Sequence, residues 1–302
     1  MHKRLFVCSL VLTLLSSAVA QQRTRTRGKQ LNSEMVVSTK WVAENLHNRN
    51  IVILHVGRDR ASYDAGHIPG ARFLSLGDIV VSSAEADKEL PPVPQLERKF
   101  GDLGINNQTR VILYGDQLGL FAARAYFTLD YLGAGNRAAL MDGGMEKWKR
   151  ENRPLAKEAP PVMPAKFSAK PNPKVLADFA KVREVSRSLA RPAYAETTLI
   201  DARPEADFGN GHIPGAVSIF WHKNLESVED PSLKPPFELR KLYEEIGITR
   251  DRPVISYCRS GVQSSYTYFI LKWLGYDVAM YDGSYQQWTR SSGSPVTASP
   301  RN

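Results

Sequence analysis

The sequence predicts an α/β protein with two tandem domains, each a small parallel sheet with helices on both faces. Four short sequence blocks occur twice, in the same order, in the two halves of the chain. Each half also alternates short apolar runs with helical patterns, which is typical of parallel sheets. The 302 residues are long for a single hydrophobic core and sufficient for two.

The start of the chain has the three parts of a secretory signal peptide. A basic start at 2–4 is followed by an apolar run at 5–15, and the segment ends in Ala18-Val19-Ala20, which is typical of a cleavage site. The apolar run is too short to cross a bilayer. We therefore expect removal of residues 1–20 and export to the periplasm or out of the cell.

Cleavage would also change the cysteine content. The chain has 2 cysteines, and Cys8 would leave with the signal peptide. Cys258 would then be alone, which excludes an intramolecular disulfide and indicates a reactive thiol in an exported protein.

Composition predicts the remaining boundaries. Residues 21–34 begin with a run of basic and polar residues, and we expect a disordered basic arm there. Domains are predicted at 35–155 and 174–298, and the proline-rich segment 156–173 between them is predicted to be a semi-rigid linker. The net charge of +9 suits an anionic substrate.

The repeated blocks place equivalent elements in both halves. Gly-His-Ile-Pro-Gly-Ala begins at Gly66 and again at Gly211. Leu-Gly-Ile at 103–105 corresponds to Ile-Gly-Ile at 246–248, and Val-Ile-Leu-Tyr at 111–114 corresponds to Val-Ile-Ser-Tyr at 254–257. Asp-Gly-Gly at 142–144 corresponds to Asp-Gly-Ser at 282–284. Because His67 and His212 recur in both halves, catalysis cannot explain both, and we predict that each ties its turn to the sheet.

Hydrophobic patterns predict the individual elements. In the second half, strands are predicted at 198–200, 216–219, 254–257 and 278–281, and helices at 237–246 and 264–274. In the first half, Ser38 is a favourable N-cap for a helix with Trp41 and Val42 on one face.

A cysteine follows the predicted strand at 254–257, and a tight polar loop separates it from the next helix. Ligands bind at the carboxyl ends of strands in open α/β sheets. Loop amides before a helix N-terminus form an anion cradle and favour the thiolate form of a cysteine. We therefore predict that Cys258 is a nucleophile in an exposed electropositive setting, rather than a buried inert cysteine. A persulfide on Cys258 would be an anion that the same amides could hold.

Three sets of residues carry a resemblance to a known family. Tyr-Cys-Arg-Ser-Gly-Val-Gln-Ser-Ser from Tyr257 resembles the active-site loop of the rhodanese family of sulfurtransferases. Val-Ser-Thr-Lys-Trp-Val from Val37 resembles the opening of two-domain thiosulfate and mercaptopyruvate sulfurtransferases. The Gly-His-Ile-Pro-Gly-Ala segments and Tyr-Asp-Gly-Ser from Tyr281 resemble two further rhodanese signatures. The resemblance covers nearly all of the chain after residue 20 and implies two rhodanese-like domains.

The resemblance implies that only the second domain is catalytic. Gly115 and Asp116 stand where the second half has Cys258 and Arg259, so the first domain lacks the nucleophile. Cys258 is the predicted catalytic residue. The predicted substrate-binding residues are Arg203, Arg259, Ser260, Gly261, Val262 and Gln263. For Arg203, a structural network with Asp201 is an equal alternative to a direct contact with the substrate.

The loop leaves the sulfur donor open between two substrates. Thiosulfate-specific members of the family have two basic residues after the cysteine, and mercaptopyruvate members have Gly-Ser-Gly-Val. Here Arg259 is followed by Ser-Gly-Val. We expect thiosulfate as donor and cyanide or a thiol as acceptor, with 3-mercaptopyruvate as the alternative donor.

The residues after Cys258 also bear on two other classes of function. A phosphatase on the same fold needs an arginine six positions after the cysteine. Ser264 stands there instead, which excludes a phosphatase. A non-enzymatic sulfur carrier or binding module stays open as an alternative. The sequence has no metal-ligand spacing, no glycine-rich nucleotide loop and no arginine–aromatic interleaving. We expect no cofactor, no nucleic-acid partner, no stable membrane insertion and a monomer.

Overall fold

The computed structural model describes residues 30–191, 195–291 and 293–298. The predicted signal peptide and the predicted arm up to residue 29 lie outside the described residues. Among the helices that the structure describes, none has the length and apolar character needed to span a membrane.

The first domain contains a sheet of five parallel strands. The strands are β1 (Val36–Val37), β2 (Ile51–Gly57), β3 (Arg72–Ser75), β4 (Arg110–Gly115) and β5 (Ala138–Met141). The helices are α1 (Thr39–Glu44), α2 (Ala61–Ala65), α3 (Val93–Asp102), α4 (Leu120–Tyr131) and α5 (Gly144–Arg150). The strand order is β1-β5-β4-β2-β3, and every pair is parallel.

The second domain repeats this arrangement with four strands. The strands are β6 (Thr198–Asp201), β7 (Val217–Ser218), β8 (Val254–Tyr257) and β9 (Val278–Met280). The helices are α6 (Phe179–Leu189), α7 (Glu205–Asn210), α8 (Pro236–Glu245), α9 (Val262–Trp273) and α10 (Ser284–Arg290). The order is β7-β6-β8-β9, again parallel. A bridge from Leu176 to Met280 takes the place that β1 has beside β5.

The predicted fold class is confirmed: both halves are parallel α/β sheets with helices. The four strands predicted in the second half are present within two residues of the expected bounds. Ser38 caps α1, because its hydroxyl accepts a hydrogen bond from the Trp41 amide at 3.1 Å. The helix predicted from 264 begins earlier, at Val262, because Gly261 adopts a φ of +80° and turns the chain directly into the helix.

The two domains pack against each other through α4 and α9. Tyr126 meets Phe269 edge to face with ring centroids 4.9 Å apart, and Phe127 meets Tyr268 in the same way at 5.1 Å. These aromatic side chains are buried in one hydrophobic cluster that contains residues of both sheets. Aromatic pairs of this kind bury large apolar areas, so the domain interface is continuous with the two cores.

The proline-rich segment 156–173 runs along the first domain as irregular backbone. Ala165 donates its amide to the Gly101 carbonyl, Lys170 donates to Leu132, and Phe167 is buried. The start of the described chain is also bound to the fold. The Asn32 amide donates to the Trp273 carbonyl at 2.8 Å, and Ser33–Met35 form a 3-10 turn. Folded contacts therefore begin inside the range 21–34 that the sequence assigned to a disordered arm.

Candidate active site

Cys258 is the first residue after β8, at the carboxyl edge of the second sheet. Only residues 259–261 separate it from α9. Gly261 ends this loop with a left-handed φ of +80°, and a Cβ atom there would lie 2.6 Å from Oδ1 of Asp282. The turn therefore requires glycine at 261 for two reasons, the backbone conformation and the lack of space.

The thiol is enclosed rather than exposed. Cys258 is 1% exposed, so the expected exposed setting is wrong. The start of α10 covers the loop, because the Tyr285 amide donates to the Cys258 carbonyl and the Gln286 amide donates to the Arg259 carbonyl, both at 3.0 Å. The loop is thus fixed to α10 on its carbonyl side.

Ser284 fixes the amide side of the same loop. Its Oγ accepts hydrogen bonds from the amides of Cys258 at 3.2 Å and Gly261 at 3.1 Å, and donates to the Tyr281 carbonyl at 2.8 Å. Ser284 has a φ of +55°, a conformation that few non-glycine residues adopt. Sequence reasoning did not identify this residue. The available signal was the glycine at the repeat-related position, Gly144, which has the same φ of +55°.

Several loop amides are not used by the protein. Within the described chain, the backbone amides of Arg259, Ser260, Val262 and Gln263 donate no hydrogen bond to another residue. Val262 and Gln263 open α9, where helical amides have no partner within the helix and the helix dipole is positive. Unpartnered donors next to a thiol are what an anion site requires, and the anion site itself stays a prediction.

The predicted substrate-binding residues differ in exposure and in whether other protein groups already bind their side chains. Arg259 is exposed, and no acidic side chain of the described residues forms an ion pair with it. Ser260 is buried beside it. The charge of Arg259, next to Cys258, is therefore available to an anion that approaches the loop.

Arg203 is already engaged inside its own domain. It is 3% exposed, and its guanidinium donates to Asp201, with the closest contact at 2.6 Å, and to the Gly211 carbonyl at 2.7 Å. It also lies over the Tyr285 ring, 3.9 Å from the centroid. Burial alone would lower the pKa of Arg203, but the hydrogen bond and charge of Asp201 outweigh it and raise this pKa. The geometry favours the structural network, and a substrate contact stays a prediction.

The equivalent position in the first domain cannot hold a side chain. A Cβ on Gly115 would lie 2.0 Å from the Val56 carbonyl oxygen. The next residue, Asp116, is bound by His55 Nε2 at 3.0 Å and by the Ser62 hydroxyl at 2.9 Å. Burial by itself would raise the pKa of Asp116, but these two hydrogen bonds lower it overall. The first domain thus presents a bound carboxylate where the second presents a free arginine.

The two repeated histidines share two structural contacts. His67 stacks on Tyr63 and His212 on Phe208, each with centroids 3.7 Å apart. Each Nδ1 lies 2.9 Å from the carbonyl oxygen of the residue on which it stacks. The geometry thus favours a structural role, but the partner is the preceding helix and not the sheet.

An open groove lies between the domains, next to the loop that holds the thiol. Leu90 and Pro91 line it from the first domain, and Tyr281, Asp282 and Gly283 line it from the second. Asp282 and Gly283 line the groove and directly precede α10, the helix that covers the loop.

Comparison with known proteins assigns the family. The rhodanese-like domain model matches residues 38–151 and again residues 182–291. The sulfur carrier protein TtuD of Thermus thermophilus is 36% identical over 283 residues, which cover 87% of this chain and 96% of TtuD. A protein of Saccharopolyspora erythraea with the provisional name thiosulfate sulfurtransferase is 32% identical over 281 residues, which cover 87% of this chain and 96% of that protein.

A solved structure has the same fold. The anaerobic ergothioneine biosynthesis enzyme from Chlorobium limicola matches with a TM-score of 0.78 over 89% of this chain and 71% of that chain. At 20% identity, this likeness concerns the fold alone. The two matches to the family model and the relatives that align along nearly their whole length show that this chain belongs to the rhodanese family of sulfurtransferases, with two rhodanese domains in tandem.

Proposed function

We propose that the protein is a thiosulfate sulfurtransferase that acts through a persulfide on Cys258. The observation that supports this most directly is the position of the thiol at the carboxyl end of β8, followed by loop amides without protein partners. A sulfur anion on Cys258 could accept hydrogen bonds from these amides, which is the form of stabilisation that anionic intermediates need.

The reaction has two displacement steps. In the first, the Cys258 thiolate attacks the outer sulfur of thiosulfate, a sulfur–sulfur bond forms, and sulfite leaves with the electron pair of the broken bond. In the second, cyanide or a thiolate attacks the terminal sulfur of the persulfide, and the Cys258 thiolate is released. The two steps require no oxidant or metal, because the electron pairs move only between sulfur donor, enzyme and acceptor.

The enclosure of the thiol adds one requirement to this mechanism. Because Cys258 is 1% exposed, a donor reaches its sulfur only when the loop or its cover on α10 moves. Exposed Arg259 is the first charged group of the loop that an anionic donor would meet. We therefore assign to Arg259 the attraction of the doubly charged thiosulfate, with 3-mercaptopyruvate as the alternative donor.

A mass measurement tests the mechanism. Thiosulfate should add one sulfur atom to the protein, and cyanide should remove it. The variant Cys258→Ser should keep its fold and lose both the sulfur adduct and turnover, whereas Cys8→Ser, made in the uncleaved chain, should keep them. Sulfur loading that persists in Cys258→Ser would contradict the proposal.

A turnover measurement separates an enzyme from a carrier, the function named for TtuD. An enzyme should convert many equivalents of thiosulfate and cyanide to sulfite and thiocyanate. A carrier should release one equivalent of sulfur per chain and then stop unless a partner protein is added. Turnover limited to one equivalent would favour the carrier.

We also propose that the protein acts as an exported monomer on small anionic donors. The signal-peptide pattern that ends at Ala20 supports the export. N-terminal sequencing of native protein should begin at Gln21, and size-exclusion chromatography with light scattering should give the mass of one chain. An intact Met1 on native protein would contradict the export.

A further inference from the structure

Arg124 crosses the domain interface and reaches the loop that carries Cys258. It lies on α4 of the first domain, and its side chain is fully buried. The guanidinium donates to both carboxylate oxygens of Asp282, at 2.5 and 3.3 Å. It also donates to the carbonyls of Gly261 at 3.3 Å and Lys88 at 2.9 Å. One side chain of the first domain thus binds both the loop, at Gly261, and Asp282.

Arg124 and Ser284 hold the two peptide groups on either side of Gly261. The Gly261 amide donates to Ser284, and the Gly261 carbonyl accepts from Arg124. The peptide bonds are trans, and in a trans peptide the carbonyl and the following amide point in opposite directions. Holding the Gly261 carbonyl towards Arg124 therefore turns the Val262 amide away from Arg124. The Val262 amide is one of the loop donors that no protein group uses.

Domain packing alone does not account for this arginine. The aromatic pairs of α4 and α9 already supply an apolar interface. Removing a guanidinium from water is costly, and a well-packed apolar residue could replace it in an interface without loss of stability. The contacts of Arg124 are directed at the loop and at Asp282.

The repeat provides an internal comparison. Asp142 in the first domain corresponds to Asp282, and each accepts an amide hydrogen bond from a leucine of the other domain, Leu233 at 2.8 Å and Leu90 at 2.7 Å. The fifth residue of α9 is Tyr266, where α4 has Arg124. Tyr266 therefore lies against the loop of the first domain, which has no cysteine. Arg124 lies against the loop that carries Cys258.

We propose that Arg124 is a positioning residue of the sulfur-transfer site, which orients the loop amides by holding the Gly261 carbonyl and Asp282. This inference rests on the proposed function, since the oriented amides are those that would bind the Cys258 persulfide. The inference also gives the first domain a role in catalysis, because Arg124 holds the loop only when that domain is packed against the second.

Two variants of Arg124 and one matched control test this role. Arg124→Met removes all four hydrogen bonds, and Arg124→Lys keeps the charge but lacks the planar fork whose two terminal nitrogens contact Asp282, Gly261 and Lys88. The control is Lys272→Met, which removes an ion pair between the domains, to Asp130 at 2.6 Å, at the other end of α9. The control lies about 15 Å along the helix from Val262, at 1.5 Å per residue.

Persulfide formation from thiosulfate is the first measurement. Both Arg124 variants should form the Cys258 persulfide at least about tenfold more slowly than the wild type, as expected for the loss of a charged hydrogen bond. Lys272→Met should keep the wild-type rate even where its melting temperature falls as much as that of Arg124→Met. Equal rates in Arg124→Met and the wild type would overturn the inference.

The second measurement does not depend on the sulfur donor. Cys258 is alkylated with iodoacetate, an anion, and with iodoacetamide, which is neutral and similar in size. The ratio of the two rates reports how well the loop accepts an anion beside the sulfur. It should fall in both Arg124 variants and not in Lys272→Met. If the wild type forms no persulfide with thiosulfate, the proposed function fails, and this ratio still decides the role of Arg124: an unchanged ratio overturns it.

Discussion

Single residues decide what the active-site loop can bind. Ser284 accepts two loop amides and so removes them from the set that could bind an anion, while the amides of Arg259, Ser260, Val262 and Gln263 remain. Ser284 can bind both amides because one hydroxyl oxygen can accept two hydrogen bonds and still donate its proton. The positive φ of Ser284 is retained although it is strained, which is common next to functional sites.

Arg259 should determine the preference for the donor. Its charge is free within the described structure and lies next to Cys258. Coulomb attraction scales with charge, so the guanidinium should help doubly charged thiosulfate more than a monocarboxylate. Arg259→Gly should lower kcat/KM for thiosulfate by about ten- to a hundredfold, the value of a charged hydrogen bond, and spare 3-mercaptopyruvate.

The measurement is the ratio of the two kcat/KM values in variant and wild type. Arg58→Gly is a matched control, because Arg58 is also exposed but belongs to the first domain and lies over Phe121. A ratio that stays constant in Arg259→Gly would show that another group selects the donor.

At the scale of elements, the same strand, loop and helix occur twice with different chemistry. In the second domain, β8, the loop and α9 present Cys258 with unused amides. In the first domain, β4 ends at Gly115, where the Val56 carbonyl fills the space of a side chain. The first domain therefore lacks more than a nucleophile, since the neighbouring strand occupies the place of the side chain.

A cysteine placed at 115 should therefore destabilise the protein instead of creating a second site. Gly115→Cys should lower the free energy of unfolding by about 3 kcal/mol or more, because the backbone of β2 must move. Gly209→Ala is the matched control. Its Cβ would meet nothing within 4 Å, and alanine in a helix should add up to about 1 kcal/mol of stability. Urea denaturation measures both changes, and a Gly115→Cys protein as stable as the wild type would disprove the steric argument.

At the scale of the whole molecule, one hydrophobic cluster includes residues of both domains. Phe127 of the first domain and Phe269 of the second belong to the same cluster, with Cys258 at its edge towards the loop. Arg124 and Asp130 add charged contacts from α4 to the second domain. The candidate site around Cys258 and the domain interface are thus parts of one packed unit.

The two domains should consequently unfold together. Separation of α4 from α9 would expose the buried aromatic pairs to water, so a state with one folded domain should be unstable. Hydrogen exchange in a urea series should show that β4 and β8 lose protection at the same urea concentration. Two separate midpoints would indicate that the interface contributes little.

The sequence by itself determined the fold class, the repeat, the strands of the second half and the position of Cys258 before a helix. These features depend on local patterns and on residue identity, which the chain displays directly. The family resemblance rested on the same local segments, and the comparisons confirmed it.

Only the tertiary structure decided how the site is built. The burial of Cys258, the hydrogen bonds of Ser284 and the contact from Arg124 to Asp282 join residues that are far apart in sequence. The closed space at Gly115 likewise depends on the backbone of a neighbouring strand. Periodicity and motifs report which residues share an element, but they do not report which element of the other domain lies against a loop, because packing between domains is set by the complete folded surface.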